Sequence, residues 1–132
     1  MSNNIVRKFF QNYNLIRDGG FDLFRKEQSK LFSPDLLTLA SDKRGNLTYY
    51  GIDGFFEGMV AWSKHFFVNG ESAHEFLKET DTHVLVRMHG DLALAEPINE
   101  STVSKANGHD WTQEFELLDG LITKVEVRLS FY

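Results

Sequence analysis

The stretch His109-Asp110-Trp111-Thr112-Gln113-Glu114-Phe115-Glu116-Leu117-Leu118-Asp119-Gly120-Leu121-Ile122-Thr123-Lys124-Val125-Glu126-Val127-Arg128-Leu129-Ser130-Phe131 decides the fold class. Its residues alternate with period two, the signature of strands with one dry face. If Phe115 and Leu117 point inward, His109, Trp111 and Gln113 share their side, while Asp110, Thr112, Glu114 and Glu116 point out. The second half repeats the pattern: Val125, Val127, Leu129 and Phe131 form a core row, and Lys124, Glu126, Arg128 and Ser130 a charged one. Asp119-Gly120 is a tight hairpin signal, and Asn107-Gly108 marks another turn just upstream. Two long antiparallel neighbours, 109–118 and 121–131, are therefore predicted.

Working outward, 84–88 and 92–104 also read as strands, separated by a turn at Gly90-Asp91, with Pro97 marking an edge or bulge. The N-terminal half has a different period. Ile5, Val6, Phe9, Phe10, Tyr13 and Ile16 recur at helical spacing, with Asn3 or Asn4 as a cap and Gly19-Gly20 as a terminator. A second helix is expected over 21–32, stopped by Ser33-Pro34. Short strands at 36–40 and 47–50 flank the turn Asp42-Lys43-Arg44-Gly45. A third helix is expected over 52–68, where Ile52, Phe55, Phe56, Met59, Val60, Trp62, Phe66 and Phe67 give a broad apolar stripe. Its Gly54-x-x-x-Gly58 spacing suits close packing. The order implies α+β: a strongly curved, cone-like antiparallel sheet carrying three helices from the N-terminal half on its concave face.

The 132 residues suffice for one domain with a real core. Without Cys, disulfides, thiolate zinc sites and cysteine nucleophiles are excluded. A formal net charge of −5, with the signs interspersed, disfavours binding to a nucleic-acid backbone. Apolar runs are far too short to span a membrane, and no secretion signal is visible, so a cytoplasmic location is expected. His65, His74, His83, His89 and His109 form no ligand spacing, so neither a metal nor another cofactor is expected.

Several pieces resemble the NTF2-like superfamily, in particular its SnoaL-like and ketosteroid-isomerase-like members. They are Phe9-Phe10-x-x-Tyr13, Gly19-Gly20-Phe21-Asp22, Leu31-Phe32-Ser33-Pro34-Asp35-Leu36-Leu37 and Tyr50-Gly51-Ile52-Asp53-Gly54-Phe55-Phe56. Met88-His89-Gly90-Asp91-Leu92-Ala93 and Phe115-x-Leu117-x-Asp119-Gly120-Leu121-Ile122-x-Lys124-Val125 complete the set. Each is loose alone; their order along one domain, 1–132, carries the resemblance. It implies an interior cone-shaped pocket for a small hydrophobic molecule and a homodimer formed through the outer sheet face.

Enzymes of that kind use a carboxylate base, with a tyrosine and a protonated Asp as oxyanion donors. Here the carry-over mostly fails. Near the position of the base stands only Asp42, which reads more readily as a solvated turn residue beside Lys43-Arg44. The tyrosine position falls at Phe9 or Phe10, with Tyr13 one turn later, and the second Asp falls near Gln113, whose amide is no acid. On this reading Tyr13, Phe55, Phe56, Met59, Trp111 and Gln113 line the pocket, and His109 and Asp42 are the proton-transfer candidates. Two functions remain open: a non-catalytic ligand-binding protein, or an isomerase, cyclase or dehydratase.

Overall fold

The structure, a computed structural model, describes residues 4–42, 45–63, 66–94 and 110–128. Its elements run α1 (Asn4–Gln11), α2 (Asn14–Ser29), β1 (Phe32–Asp42), β2 (Gly45–Tyr50), α3 (Gly51–Ser63), β3 (Phe66–Glu79), β4 (His83–Leu94), β5 (Asp110–Leu118) and β6 (Leu121–Arg128). No described helix is long and apolar enough to cross a membrane.

The six strands form one sheet in the order β2-β1-β6-β5-β4-β3. This corrects the expected cone in two respects. The sheet is mixed, because β1 runs parallel to β6 while the other neighbours are antiparallel. It is also neither closed nor strongly curled: β2 and β3 stand at opposite edges and do not pair. The physical reason lies in α3, which joins those two strands by crossing over β1 and β2, and in the rings that pack the space a cone would enclose.

Element boundaries differ from expectation where local signals conflict with long-range pairing. The first helix stops at Gln11 because Asn12 turns inward, donating from Nδ2 to Gln28 Oε1 at 2.8 Å, while Gln28 Nε2 donates to the Phe9 carbonyl at 3.1 Å. This buried amide pair satisfies itself and pins α1 to α2. Gly20 does break the helix, as expected: its φ of 89° and ψ of 169° are not helical, and α2 is two helical stretches joined across that kink. The third helix does not reach Val68. Phe66, Phe67 and Val68 pair with Leu94, Ala93 and Leu92, so aromatic and β-branched residues join the sheet. Gly90-Asp91 lies inside β4, and the turn before β4 is at 80–82, where Thr80 N–H donates to the His83 carbonyl at 2.9 Å.

The hairpin between β5 and β6 forms as predicted, with Asp119 and Gly120 both at positive φ, the backbone such a two-residue turn requires. In α3 the two glycines serve close packing. A Cβ at Gly58 would stand 2.9 Å from the Tyr49 ring, and one at Gly54 would stand 3.1 Å from the Tyr49 backbone.

Register rows assign the faces of the sheet. Thr38, Val125, Phe115 and Val84 form one inner row; Ala40, Val127, Gln113 and Val86 form the next. Against them pack Val6 and Phe9 of α1, Phe24 of α2, and Phe55 and Phe56 of α3. Phe9, fully buried, touches the rings of Phe10, Tyr13, Phe32, Phe55 and Phe115 at centroid distances of 5.0–6.2 Å. The geometries are mostly edge-to-face, as ring quadrupoles prefer.

The outer face is a lattice of charges. Arg128 reaches Glu114 at 2.9 Å and Glu126 at 3.0 Å, Lys124 reaches Glu116 at 3.2 Å, and His83 Nε2 hydrogen-bonds to Glu114. These bonds, His83 first and then Arg128, hold the Glu114 carboxyl below the usual carboxylate range.

Two outcomes follow. Phe9→Ala should cost about 3–5 kcal/mol in urea unfolding, a large part of the stability of a domain this size. Because the folded-state pKa of Glu114 is depressed, its contribution is present above the unfolded carboxylate value of about 4.3 and fades as pH falls through the folded value. Glu114→Gln should therefore lower the urea midpoint at pH 7 and lower it less at pH 3.

Candidate functional site

The inner face is not uniformly packed. Toward β3, the row His74, Met88, Trp111 lies beside the row Phe76, Val86, Gln113, Val127. Period-two alternation puts Trp111, Gln113 and Phe115 on one side of β5, as read from the sequence. Trp111 and Met88 are buried, whereas Gln113, Phe76 and Val127 are only half-buried. Phe10 of α1 lies over this region, its ring 4.4 Å from the His74 ring, 5.7 Å from Phe115 and 6.4 Å from Phe76. Arg7, one turn earlier on α1, sits 4.0 Å over the Phe76 ring and donates to both carboxylate oxygens of Glu79 at 2.9 Å. That clamp fixes α1 against the edge of the sheet.

Tyr13 follows α1 in the turn before α2. Its ring meets Phe9 at 5.6 Å and Phe24 at 5.1 Å, and burial pushes its phenol well above the ordinary tyrosine value. It is a neutral hydroxyl, not a base. Met59 of α3 is half-buried against the core. Phe55 and Phe56 are buried and in ring contact with each other at 5.2 Å; Phe55 also touches Phe32 at 4.7 Å, and Phe56 touches Phe24 at 6.0 Å. They form the packed floor of the helical layer. Asp42 is the last residue of β1, opposite Gly45, and its side chain is not among those described. His109, like the Asn107-Gly108 turn and Pro97, lies outside the described residues.

His74 is a site residue that the sequence reading passed over. The signal is the strand parity that His74 shares with Phe76, and the pairing of β3 with β4 assigns that parity a face. The imidazole is solvent-exposed at its rim, while one face is covered by Phe10. This partial burial disfavours the cation and lowers the pKa of His74 below the ordinary histidine value.

Charges separate cleanly between the faces. Glu114, Glu116 and Glu126 occupy outer register positions, and Glu79, opposite inner-facing Val84, is taken by Arg7. Among the described residues the inner face thus offers an imidazole, an amide, an indole, two phenols and the Thr38 hydroxyl, and no unpaired carboxylate. The side chain of half-buried Gln113 makes no hydrogen bond among the described residues, and Thr38 Oγ1 is buried without a partner among them. Such an inner face can hold an apolar body and orient one or two polar groups.

No family model matches the chain, and no curated protein does. Solved structures do. An NTF2-like protein from Burkholderia xenovorans superposes with a TM-score of 0.64 at 14% identity, over 96% of this chain and 89% of that one. A protein with a ketosteroid isomerase-like fold from Catenulispora acidiphila, in complex with trimethylamine, gives 0.64 at 11% identity over 98% and 88%. A SnoaL-like polyketide cyclase candidate from Mesorhizobium loti gives 0.57 at 12% identity over 94% and 97%. Identities this low speak for the fold alone, and on that ground the chain has the fold of the NTF2-like, SnoaL-like superfamily.

Proposed function

We propose that the protein binds a small, largely hydrophobic molecule between α1 and the inner face of β3, β4 and β5. The observation that carries this reading is Gln113, a half-buried amide set between Val86 and Val127 with no hydrogen-bond partner among the described residues. The amide stands in an apolar row yet is partly open to solvent, so a ligand carbonyl or hydroxyl can take the place of water as its partner. Trp111, Met88 and Phe10 supply apolar surface for a flat ligand, with Tyr13 and Met59 flanking and the packed Phe55 and Phe56 as floor. The fold's neighbours support the same reading: one was crystallised with trimethylamine, and another was designed for diverse pocket structures.

A second reading, proton transfer at this site in an isomerase, cyclase or dehydratase, is favoured by His74. A neutral imidazole beside a ligand is a competent base. His109, two residues before Trp111, and Asp42 are the other candidates for that role.

Binding is tested by thermal shift and tryptophan fluorescence against steroids, polyketide-like aromatics and terpenoids. One class should raise the melting temperature by several degrees at saturation. Gln113→Leu should then weaken that class roughly three- to tenfold, the worth of one neutral hydrogen bond, and Trp111→Ala should weaken it further. No shift with any compound would reject the site. For proton transfer, turnover that survives His74→Ala, His109→Ala and Asp42→Asn alike would reject the catalytic assignment.

A further inference from the structure

Among the described strands none lies beyond β3, so the seam between α1 and β3 is the flank of the candidate site. Two side-chain pairs span that seam. Phe10 stacks on His74 with 4.4 Å between ring centroids. One turn earlier on α1, Arg7 lies 4.0 Å over half-buried Phe76 and donates to both carboxylate oxygens of Glu79 at 2.9 Å. This second pair depends on a bulge in β3. Phe76 pairs with Val86 but Lys78 pairs with Leu85, so an extra residue intervenes and Glu79 comes opposite inner-facing Val84. Without the bulge, alternation would turn Lys78 inward beside Arg7 and send Glu79 to the outer face.

The parts of this seam differ in freedom. The helix cannot lift without unpacking Val6 and Phe9, which are fully buried in the core. The Arg7 and Glu79 side chains, by contrast, keep 47% and 30% of their surface exposed. An ion pair that exposed is weakly held and is screened by salt. We infer, taking the ligand site as proposed above, that the Arg7–Glu79 pair gates it. When the pair is made, the guanidinium covers Phe76 and bars the seam. When it breaks, Arg7 swings into solvent and uncovers the row that leads from Phe76 past Val86 to Gln113. A bar on the way in is also a bar on the way out, so opening it speeds entry and exit alike and leaves affinity nearly unchanged.

Stopped-flow tryptophan fluorescence tests the gate, using a compound that raises the melting temperature of the wild type. Arg7→Ala and Glu79→Gln should each raise the association and dissociation rates together by about two- to fivefold, with Kd within about twofold of the wild type. Raising salt from about 0.1 M to about 1 M shortens the screening length from about 10 Å to about 3 Å, and should speed both rates in the wild type but not in Arg7→Ala. A clamp that only held α1 in place would act differently, its loss raising dissociation alone and weakening binding. That pattern, or unchanged rates, overturns the gate and leaves the ligand site standing. A ligand-free measurement separates the two. With Trp62→Phe in place, Trp111 is the sole tryptophan, and acrylamide should quench it about two- to fivefold faster in Arg7→Ala than with Arg7 intact. Faster quenching in a protein that binds no compound supports the gate and rejects the ligand site. Unchanged quenching overturns the gate whether or not a compound binds.

Discussion

The ring of Phe9 is the contact on which the rest of the structure depends. It lies where α1, β1, α3 and β5 meet, touching Phe32, Phe55 and Phe115 at once. Dispersion and burial act there on elements distant in sequence, and the edge-to-face geometry fixes their mutual angles. The centre is filled, whereas toward β3 Phe10 rather than Phe9 covers the sheet and packing gives way to half-buried Gln113 and Phe76. The same helix thus closes the core with one aromatic residue and roofs the candidate site with the next.

Polarity is arranged on the same principle. Outer carboxylates meet Lys124, Arg128 and His83, and the inner-edge Glu79 is neutralised by Arg7. What remains inside is uncharged at neutral pH, with the His74 imidazole shifted toward its neutral form. A site of this kind discriminates ligands by shape and by one or two hydrogen bonds rather than by charge.

The strands over 110–118 and 121–128 were legible because alternation and the Asp119-Gly120 turn are local properties. The inner placement of Trp111 and Gln113 followed from the same alternation. The parallel neighbour of β6 was not legible, since no local pattern reports which distant strand will lie alongside, and the cone rested on element order and on the family resemblance. Residues 66–68 misled for another reason: Phe66, Phe67 and Val68 continue the stripe of α3 and also suit a strand, and only pairing with 92–94 decides between the two. His74 has no face in the sequence alone, because the parity of 71–79 reports a side only once its register with β4 is known.

The parallel pair of β1 and β6 also sets the order of events in folding. Phe32 pairs with Ile122, and the Leu31 carbonyl accepts from the Ile122 N–H at 2.8 Å, so an interior seam of the sheet joins the first strand made to the last. During synthesis the Phe-rich N-terminal half emerges before β5 and β6, the two central strands that join the β1–β2 and β3–β4 pairs into one sheet. Loop-closure entropy must be overcome before that seam returns any stabilisation, which makes folding slow for a chain of this length. Until that seam forms, the rings of Phe9, Phe24, Phe55 and Phe56 lack part of the surface that buries them in the folded protein.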